Sequence, residues 1–187
     1  RDRSVSRGLG DVYKRQGKSI ASVRAGNVIG GGDWALDRII PDCIKALESG
    51  KNIDIRNTKS VRPWQHVLEP LSGYMLLTAK IWEEPTKYCE GWNFGPRAES
   101  ITSVWDVAND VVKNYGSGGL NDISIPNAPH EARFLMLDIS KAKFQLGWEP
   151  RMNIHQCVAL TVDWYKRYTF ENVYSLCVDQ IKQYLIK

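Results

Sequence analysis

The sequence lacks the features that would indicate a membrane, metal-binding or disulfide-stabilised protein. No apolar run among its 187 residues approaches the ~20 residues that a membrane-spanning helix needs. The four cysteines, Cys43, Cys89, Cys157 and Cys177, show neither CxxC nor metal-ligand spacing. Cys43 and Cys157 each fall on the apolar side of a predicted helix, where a thiol acts as a small hydrophobic group. These absences favour a reduced, cytoplasmic compartment and no membrane partner.

The sequence also has little net charge outside its first 16 residues. The whole chain carries a net charge of +4, and residues 1–16 hold five basic residues against two acidic ones. A nucleic-acid-binding domain would be expected to concentrate basic residues on a folded surface, so we predict no nucleic-acid partner. Residues 1–16 are polar, rich in Arg and Ser and without periodicity. We therefore expect them to be a disordered lead-in, foreign to the chain that follows.

Apolar periodicity predicts an α/β chain from residue 17 onward. Short apolar runs predict strands over residues 20–25, 53–56, 61–67, 92–94, 122–125 and 133–137. Helical spacing of apolar residues predicts helices over residues 36–49, 68–82, 104–115, 138–147, 153–168 and 170–185. Ser103 and Asn153 are predicted N-caps, and Gly116 and Gly147 are predicted helix ends.

Residues 26–34 (GNVIGGGDW) lie between the first predicted strand and the first predicted helix. Three consecutive glycines allow a positive φ and let the backbone approach a bulky ligand. Open α/β sheets bind ligands beyond the carboxyl ends of their strands. Arg38 and Arg62 are available for an anion, and Asn27 for hydrogen bonds. From spacing alone, a flexible turn with ordinary surface arginines explains the pattern equally well.

A series of motifs across residues 17–168 resembles the nucleotide-sugar branch of the extended short-chain dehydrogenase/reductases, and within it the CDP-glucose 4,6-dehydratases. The motifs occur in the family's order: RAGNVIGGGDWA (24–35), DRIIPD (37–42), RPWQHVLEP (62–70), EGWNFGP (90–96), HEA (130–132) and LGW (146–148). The resemblance implies the carboxyl-terminal portion of an NAD(P)-binding Rossmann-type protein. Residues 17–187 would comprise its last Rossmann strands and a smaller α/β substrate-binding region.

By this resemblance, eight residues are expected to bind a nucleotide-sugar substrate: Asn27, Arg38, Ile39, Arg56, Arg62, Asn93, His130 and Glu131. Arg62 would contact the pyrophosphate, whose two negative charges suit a guanidinium group. Asn27 would contact the substrate, and Glu131 would accept hydrogen bonds from the ribose. Arg56 falls where thymidine-linked relatives carry an aromatic base contact, which suggests a role in recognising cytosine.

Most of these residues also have a structural interpretation. Arg62 would be a surface arginine, and Arg38 a solvated charge on a helix. Asn27 and Asn93 would each stabilise a turn through their own backbone. His130 would be a structural histidine. The tryptophans are expected mostly in the core, although Trp34, beside the glycines, could stack on the base.

The resemblance further implies that the full-length protein oxidises C4 of CDP-glucose with NAD, eliminates water across C5–C6 and returns the hydride to C6. Such chemistry serves deoxysugar synthesis, including that of lipopolysaccharide O-antigen. The sequence contains no G-x-x-G-x-x-G loop, no Tyr-x-x-x-Lys pair and no Thr-Asp-Lys group. We therefore expect the 187-residue chain alone to be inactive and to represent part of a homodimeric enzyme. Two alternatives remain: an epimerase, reductase or decarboxylase of the same family, or a noncatalytic nucleotide-binding piece or unstable fragment.

Overall fold

The computed structural model describes residues 17–124 and 135–186. Within them, eight short strands occur: β1 (Ser22–Ala25), β2 (Asn27–Ile29), β3 (Ile53–Ile55), β4 (Val61–Arg62), β5 (Trp64–His66), β6 (Gly91–Phe94), β7 (Thr102–Ser103) and β8 (Leu120–Asp122). Six α-helices accompany them: α1 (Ile39–Glu48), α2 (Leu68–Glu83), α3 (Pro85–Tyr88), α4 (Val104–Tyr115), α5 (Ile154–Arg167) and α6 (Val173–Ile186). A 3-10 turn covers Ala98–Ser100, and a π-helical turn covers Ala142–Leu146. The predicted α/β class is confirmed.

Three of the four strand pairs in the described residues are parallel. β1 pairs with β6, β2 pairs with β5 so that Asn27 lies opposite Trp64, and β3 pairs with β8. β4 and β7 form the antiparallel pair. Two parallel strands that are close in sequence need a crossover connection. The connection from β1 to β6 includes α2, and the connection from β3 to β8 includes α4.

Two hydrophobic cores hold these elements together. The larger core joins α1, α4, α5 and α6 to β3 and β5, and it fully buries Cys43, Ile44 and Val158. The smaller core lies between α2 and β6, where the ring of Phe94 is 4.9 Å from that of Trp148. The predicted core positions of Cys157 and of four tryptophans are confirmed, since these residues are buried: Trp64, Trp92, Trp148 and Trp164.

The first helix begins later than predicted. We expected it to start at Leu36, whereas α1 begins at Ile39. Asp37 has a φ of 57°, in the left-handed region that interrupts a right-handed helix. Residues 30–38 therefore form a longer loop than the sequence predicts.

The strand predicted over residues 61–67 is divided at Pro63. β4 pairs with β7 before the proline, and β5 pairs with β2 after it. Pro63 has no amide hydrogen to donate, but its carbonyl oxygen accepts a hydrogen bond from the Asn27 amide at 2.9 Å. The change of partner places Arg62 and Trp64 on either side of this proline.

Four predicted helix caps are confirmed. The Ser103 hydroxyl accepts a hydrogen bond from the amide three residues on, at 3.1 Å, and Asn153 forms a capping box with Gln156. Gly116 and Gly147 have φ angles of 95° and 71°, which suit the left-handed residue that ends a helix.

Other boundaries differ from the predictions. The strand expected over residues 122–125 is Leu120–Asp122, because pairing with β3 fixes its register. Residues 135–137, expected in a strand, lie outside any strand, and Leu137 packs against Gly95 instead. The last helix begins at Val173 rather than Phe170. The lead-in predicted over residues 1–16, residue 125 of the strand predicted over residues 122–125, and residues 133–134 of the strand predicted over residues 133–137 lie outside the described residues. Across the described ranges, no helix combines the length and apolar composition that crossing a bilayer requires.

Candidate functional site

An open cleft of about 310 Å³ lies where β2 and β5 meet the start of α1. The turn between β3 and β4 closes another side. The residues that line the cleft come from these four segments, the loop before α1, β4 and the first residue of α4: Asn27, Val28, Ile29, Gly30, Asp33, Asp37, Arg38, Ile39, Ile40, Pro41, Asn57, Ser60, Arg62, Trp64 and Val104. Four of the eight predicted substrate-binding residues are therefore brought together.

Asn27, on β2, and Arg62, on β4, line the same cleft. The amide of Asn27 donates to the carbonyl oxygen of Pro63, so the β2 backbone is fixed one residue beyond Arg62. The Arg62 Nη1 donates to the Val61 carbonyl oxygen at 3.0 Å. Both side chains are half-buried. A guanidinium and a side-chain amide in one partly enclosed cleft can together donate several hydrogen bonds to an anion.

Arg38 and Ile39 line the cleft at the start of α1. Arg38 is the N-cap, and its carbonyl oxygen accepts from the Asp42 amide at 3.0 Å. Its side chain is exposed, and Ile39 forms a half-buried apolar part of the wall. The first amides of an α-helix and its dipole favour an anion, so this end of the cleft has the same electrostatic preference as Arg62.

Arg56 does not line the cleft, but it contacts a residue that does. Its Nη2 is 3.3 Å from Oδ1 of Asp37, and both side chains are more than three-quarters exposed, at 77% and 79%. Its predicted part in base recognition stays a prediction.

Asn93 lies on β6, away from the residues that line the cleft. Its Nδ2 donates to the Asp138 carbonyl oxygen at 3.1 Å, so it joins two distant segments. Its predicted phosphate contact stays a prediction. The remaining two predicted site residues, His130 and Glu131, lie outside the described residues.

Comparison with known proteins bears on this arrangement. The chain is 48% identical to CDP-glucose 4,6-dehydratase of Salmonella typhimurium over 82% of its length, and it spans 43% of that protein. A solved dTDP-glucose 4,6-dehydratase from Bacillus anthracis, in complex with NAD, matches 88% of this chain and 50% of its own, with a TM-score of 0.69 at 20% identity. UDP-glucose 4-epimerase from Thermotoga maritima, solved with UDP-glucose, matches 88% and 51% with a TM-score of 0.71 at 22% identity. No family model matches the chain.

The chain shares its fold with the solved dTDP-glucose 4,6-dehydratase and UDP-glucose 4-epimerase. The predicted fold class and the predicted resemblance to CDP-glucose 4,6-dehydratase are thereby confirmed. This chain spans less than half of the Salmonella protein.

The three glycines of the run differ in their surroundings. Gly30 lines the cleft, but Gly31 faces the indole of Trp164 on α5. A Cβ on Gly31 would lie 2.0 Å from the Trp164 Cδ2 atom. Gly32 has a φ of 81°, which a side chain rarely tolerates. The close approach that requires a glycine at position 31 is therefore made by the protein's own tryptophan.

Sequence reasoning missed several residues of the site. Asn57 and Ser60, between the strands predicted over residues 53–56 and 61–67, both line the cleft, and Ser60 is buried. Asp33 also lines the cleft, and its carbonyl oxygen accepts from the Tyr165 hydroxyl at 2.6 Å. Burial raises the pKa of Tyr165 to about 12, so this hydroxyl remains a donor. Asn57, Ser60 and Asp33 are polar and follow a strand close to the expected ligand site. That pattern could have indicated them in the sequence.

Trp34 is exposed rather than in the core, where the tryptophans were mostly expected, and it does not line the cleft. Its ring packs edge-on against Tyr165 at 5.2 Å and lies 5.5 Å from Tyr168.

Among the described residues, no group of three His, Cys, Asp or Glu side chains could hold a metal ion.

Proposed function

We propose that this chain is the substrate-binding, carboxyl-terminal portion of a CDP-glucose 4,6-dehydratase, an enzyme that converts CDP-glucose to CDP-4-keto-6-deoxyglucose and water. The observation that supports this most is the cleft that Asn27 and Arg62 share, since the resemblance assigns both residues to substrate contact. The 48% identity to the Salmonella dehydratase favours this reaction. The similarity to UDP-glucose 4-epimerase is a similarity of fold at 22% identity, so it does not favour epimerisation over dehydration.

In this proposal the cleft binds the diphosphate of the nucleotide sugar. Arg62 and Arg38 supply positive charge, the side chain of Asn27 donates a hydrogen bond, and the start of α1 adds its dipole. Anchoring the nucleotide would keep the sugar in place between successive chemical steps, which a reaction with a retained intermediate requires.

NAD would be the recycled cofactor of the full-length protein, in which it accepts and returns a hydride. The residues of this chain do not fit an NAD pyrophosphate, because the sequence has no glycine-rich dinucleotide loop. We therefore assign NAD binding and proton transfer to a part of the protein outside this sequence. The purified 187-residue chain would then be inactive, and NAD-dependent turnover of CDP-glucose by this chain would contradict that assignment.

Three further properties belong to the same proposal. The full-length enzyme would be cytoplasmic, a homodimer, and without a nucleic-acid partner. The near balance of charge after residue 16 supports the last of these. Its product would enter deoxysugar synthesis, including that of O-antigen.

Thermal unfolding with nucleoside diphosphates tests the proposal. At a ligand concentration about a hundred times Kd, binding adds about 2.7 kcal/mol and raises the Tm by about 5–10 °C. CDP is expected to stabilise the chain more than UDP or dTDP. Arg62→Met should remove most of this shift. Arg97→Met is the matched control, because Arg97 is exposed and paired with Glu149 outside the cleft.

This test distinguishes the cytidine assignment from the diphosphate site itself. Equal shifts with CDP, UDP and dTDP would exclude the cytidine assignment. No shift with any of the three, or a full shift in Arg62→Met, would exclude a diphosphate site in this cleft.

A further inference from the structure

Asp37 combines three features that no structural role explains together. It lines the cleft, it is the only described residue other than glycine with a positive φ, at 57°, and its side chain is largely exposed. Asp and Asn are the side chains that best tolerate this left-handed conformation. Because this conformation excludes Asp37 from the helix that was predicted to start at Leu36, the carboxylate lies at the rim of the cleft instead of on a helix.

The partner of Asp37 is Arg56, at the end of β3. One hydrogen bond, from Arg56 Nη2 to Asp37 Oδ1 at 3.3 Å, joins them. An ion pair this exposed contributes little to stability. The pair therefore does not account for a strained backbone, but it places a hydrogen-bond acceptor and a donor side by side where the cleft opens.

An acceptor beside a donor matches one pyrimidine base better than the other. The Watson–Crick edge of cytosine presents an amino donor at C4 and acceptors at N3 and O2. Uracil and thymine present a carbonyl oxygen at C4, which a carboxylate would repel. A carboxylate accepts well from the cytosine amino group, and a guanidinium donates to carbonyl oxygens.

We infer that Asp37, paired with Arg56, selects cytosine: the Asp37 carboxylate accepts from the C4 amino group, and Arg56 donates to the O2 side of the base. This inference rests on the proposed function, because it presumes a nucleoside diphosphate in the cleft. It adds a specificity-determining residue that the resemblance alone did not indicate.

Calorimetric titration of the 187-residue chain with CDP and with UDP tests the inference through the ratio of the two Kd values. The parent chain is expected to bind CDP about tenfold more tightly than UDP. Asp37→Asn keeps the backbone conformation but offers an amide that can donate to the C4 carbonyl of uracil, so it should bring the ratio close to one. Removing the negative charge of Asp37 would strengthen the binding of CDP and UDP, which are both anions, by the same factor. The ratio of their Kd values is unaffected by this change.

The matched control is Asp54→Asn. Asp54 lies on β3, two residues before Arg56, and it is exposed and outside the cleft. This variant should keep the parent ratio, and thermal unfolding confirms that each variant is folded. An unchanged ratio in Asp37→Asn would overturn the inference and leave the nucleotide site standing. Equal binding of CDP and UDP by the parent would also overturn it. A parent chain that binds neither nucleotide would overturn the proposed function, and the inference with it.

Discussion

The hydroxyl of Tyr184 donates a hydrogen bond to the carboxylate of Glu69 at 2.9 Å in the interior of the protein. The other carboxylate oxygen accepts from the amides of Arg151 and Met152, at 2.9 and 2.7 Å. Glu69 is fully buried at the start of α2. A single carboxylate therefore joins α2, the segment before α5 and the last helix.

The first prediction concerns the pH dependence of stability. Burial, outweighing the hydrogen bonds, raises the pKa of Glu69 above its ordinary value of 4.5. The folded chain then binds this proton more readily than the unfolded chain does. The contribution of Glu69 to the free energy of unfolding should therefore fall as the pH rises from about 4.5 through the raised pKa.

Glu69→Gln should remove this contribution, so its stability relative to the parent should increase with pH across the same window. Urea denaturation of both proteins between pH 4 and pH 8 measures the difference. Glu99→Gln, at an exposed position, is the control. Parallel curves for the parent and Glu69→Gln would show that burial does not govern this carboxyl group.

A second prediction concerns Gly31 and the indole of Trp164. Alanine at position 31 would overlap the ring, which is buried in the larger core and cannot move without disturbing it. Gly31→Ala should lower the free energy of unfolding by about 1–3 kcal/mol. Gly91→Ala should change it little, because the nearest atom to its added Cβ is the Ser22 Oγ at 3.4 Å. Similar losses in both variants, measured by urea denaturation, would contradict the packing argument.

A third prediction concerns the thiols. Cys43, Cys89 and Cys157 are buried, whereas Cys177 is half-buried. Burial raises the pKa of Cys43 to about 12, so little of its reactive thiolate forms near neutral pH. The folded chain should show one thiol that reacts rapidly with a disulfide reagent at pH 8, against four after denaturation. Cys177→Ser should abolish the rapid reaction, and a fast thiol that persists in this variant would contradict the burial pattern.

The sequence predicted the local parts of the fold well. Apolar periodicity located the five longer α-helices but not α3 or the π-helical form of Ala142–Leu146. Ser103 and Asn153 were identified as caps because capping depends on residues three positions apart. The strand through Pro63 could not be predicted in its true form. The change of partner from β7 to β2 at that residue depends on segments far away in the sequence.

The candidate site could be predicted only in part, because some of its features depend on segments that are far apart in the sequence. Asn27, Arg38, Ile39 and Arg62 belong to recognisable motifs, and all four line the cleft. The packing of Gly31 against Trp164 required the position of α5, which periodicity does not give. Asp37 fell inside a helical pattern, and only its backbone conformation places it at the cleft.

The account depends on Asn27 and Arg62 acting on one ligand, and a double-mutant cycle measured by calorimetry with CDP-glucose tests this most directly. Arg62→Met is expected to weaken binding by about tenfold or more, since hydrogen bonds to charged groups are the stronger ones. Asn27→Ala should weaken it by about fivefold. If both side chains contact the same diphosphate, the double variant should lose less affinity than the product of the single losses. Parent-like affinity for CDP-glucose in both single variants would contradict the account.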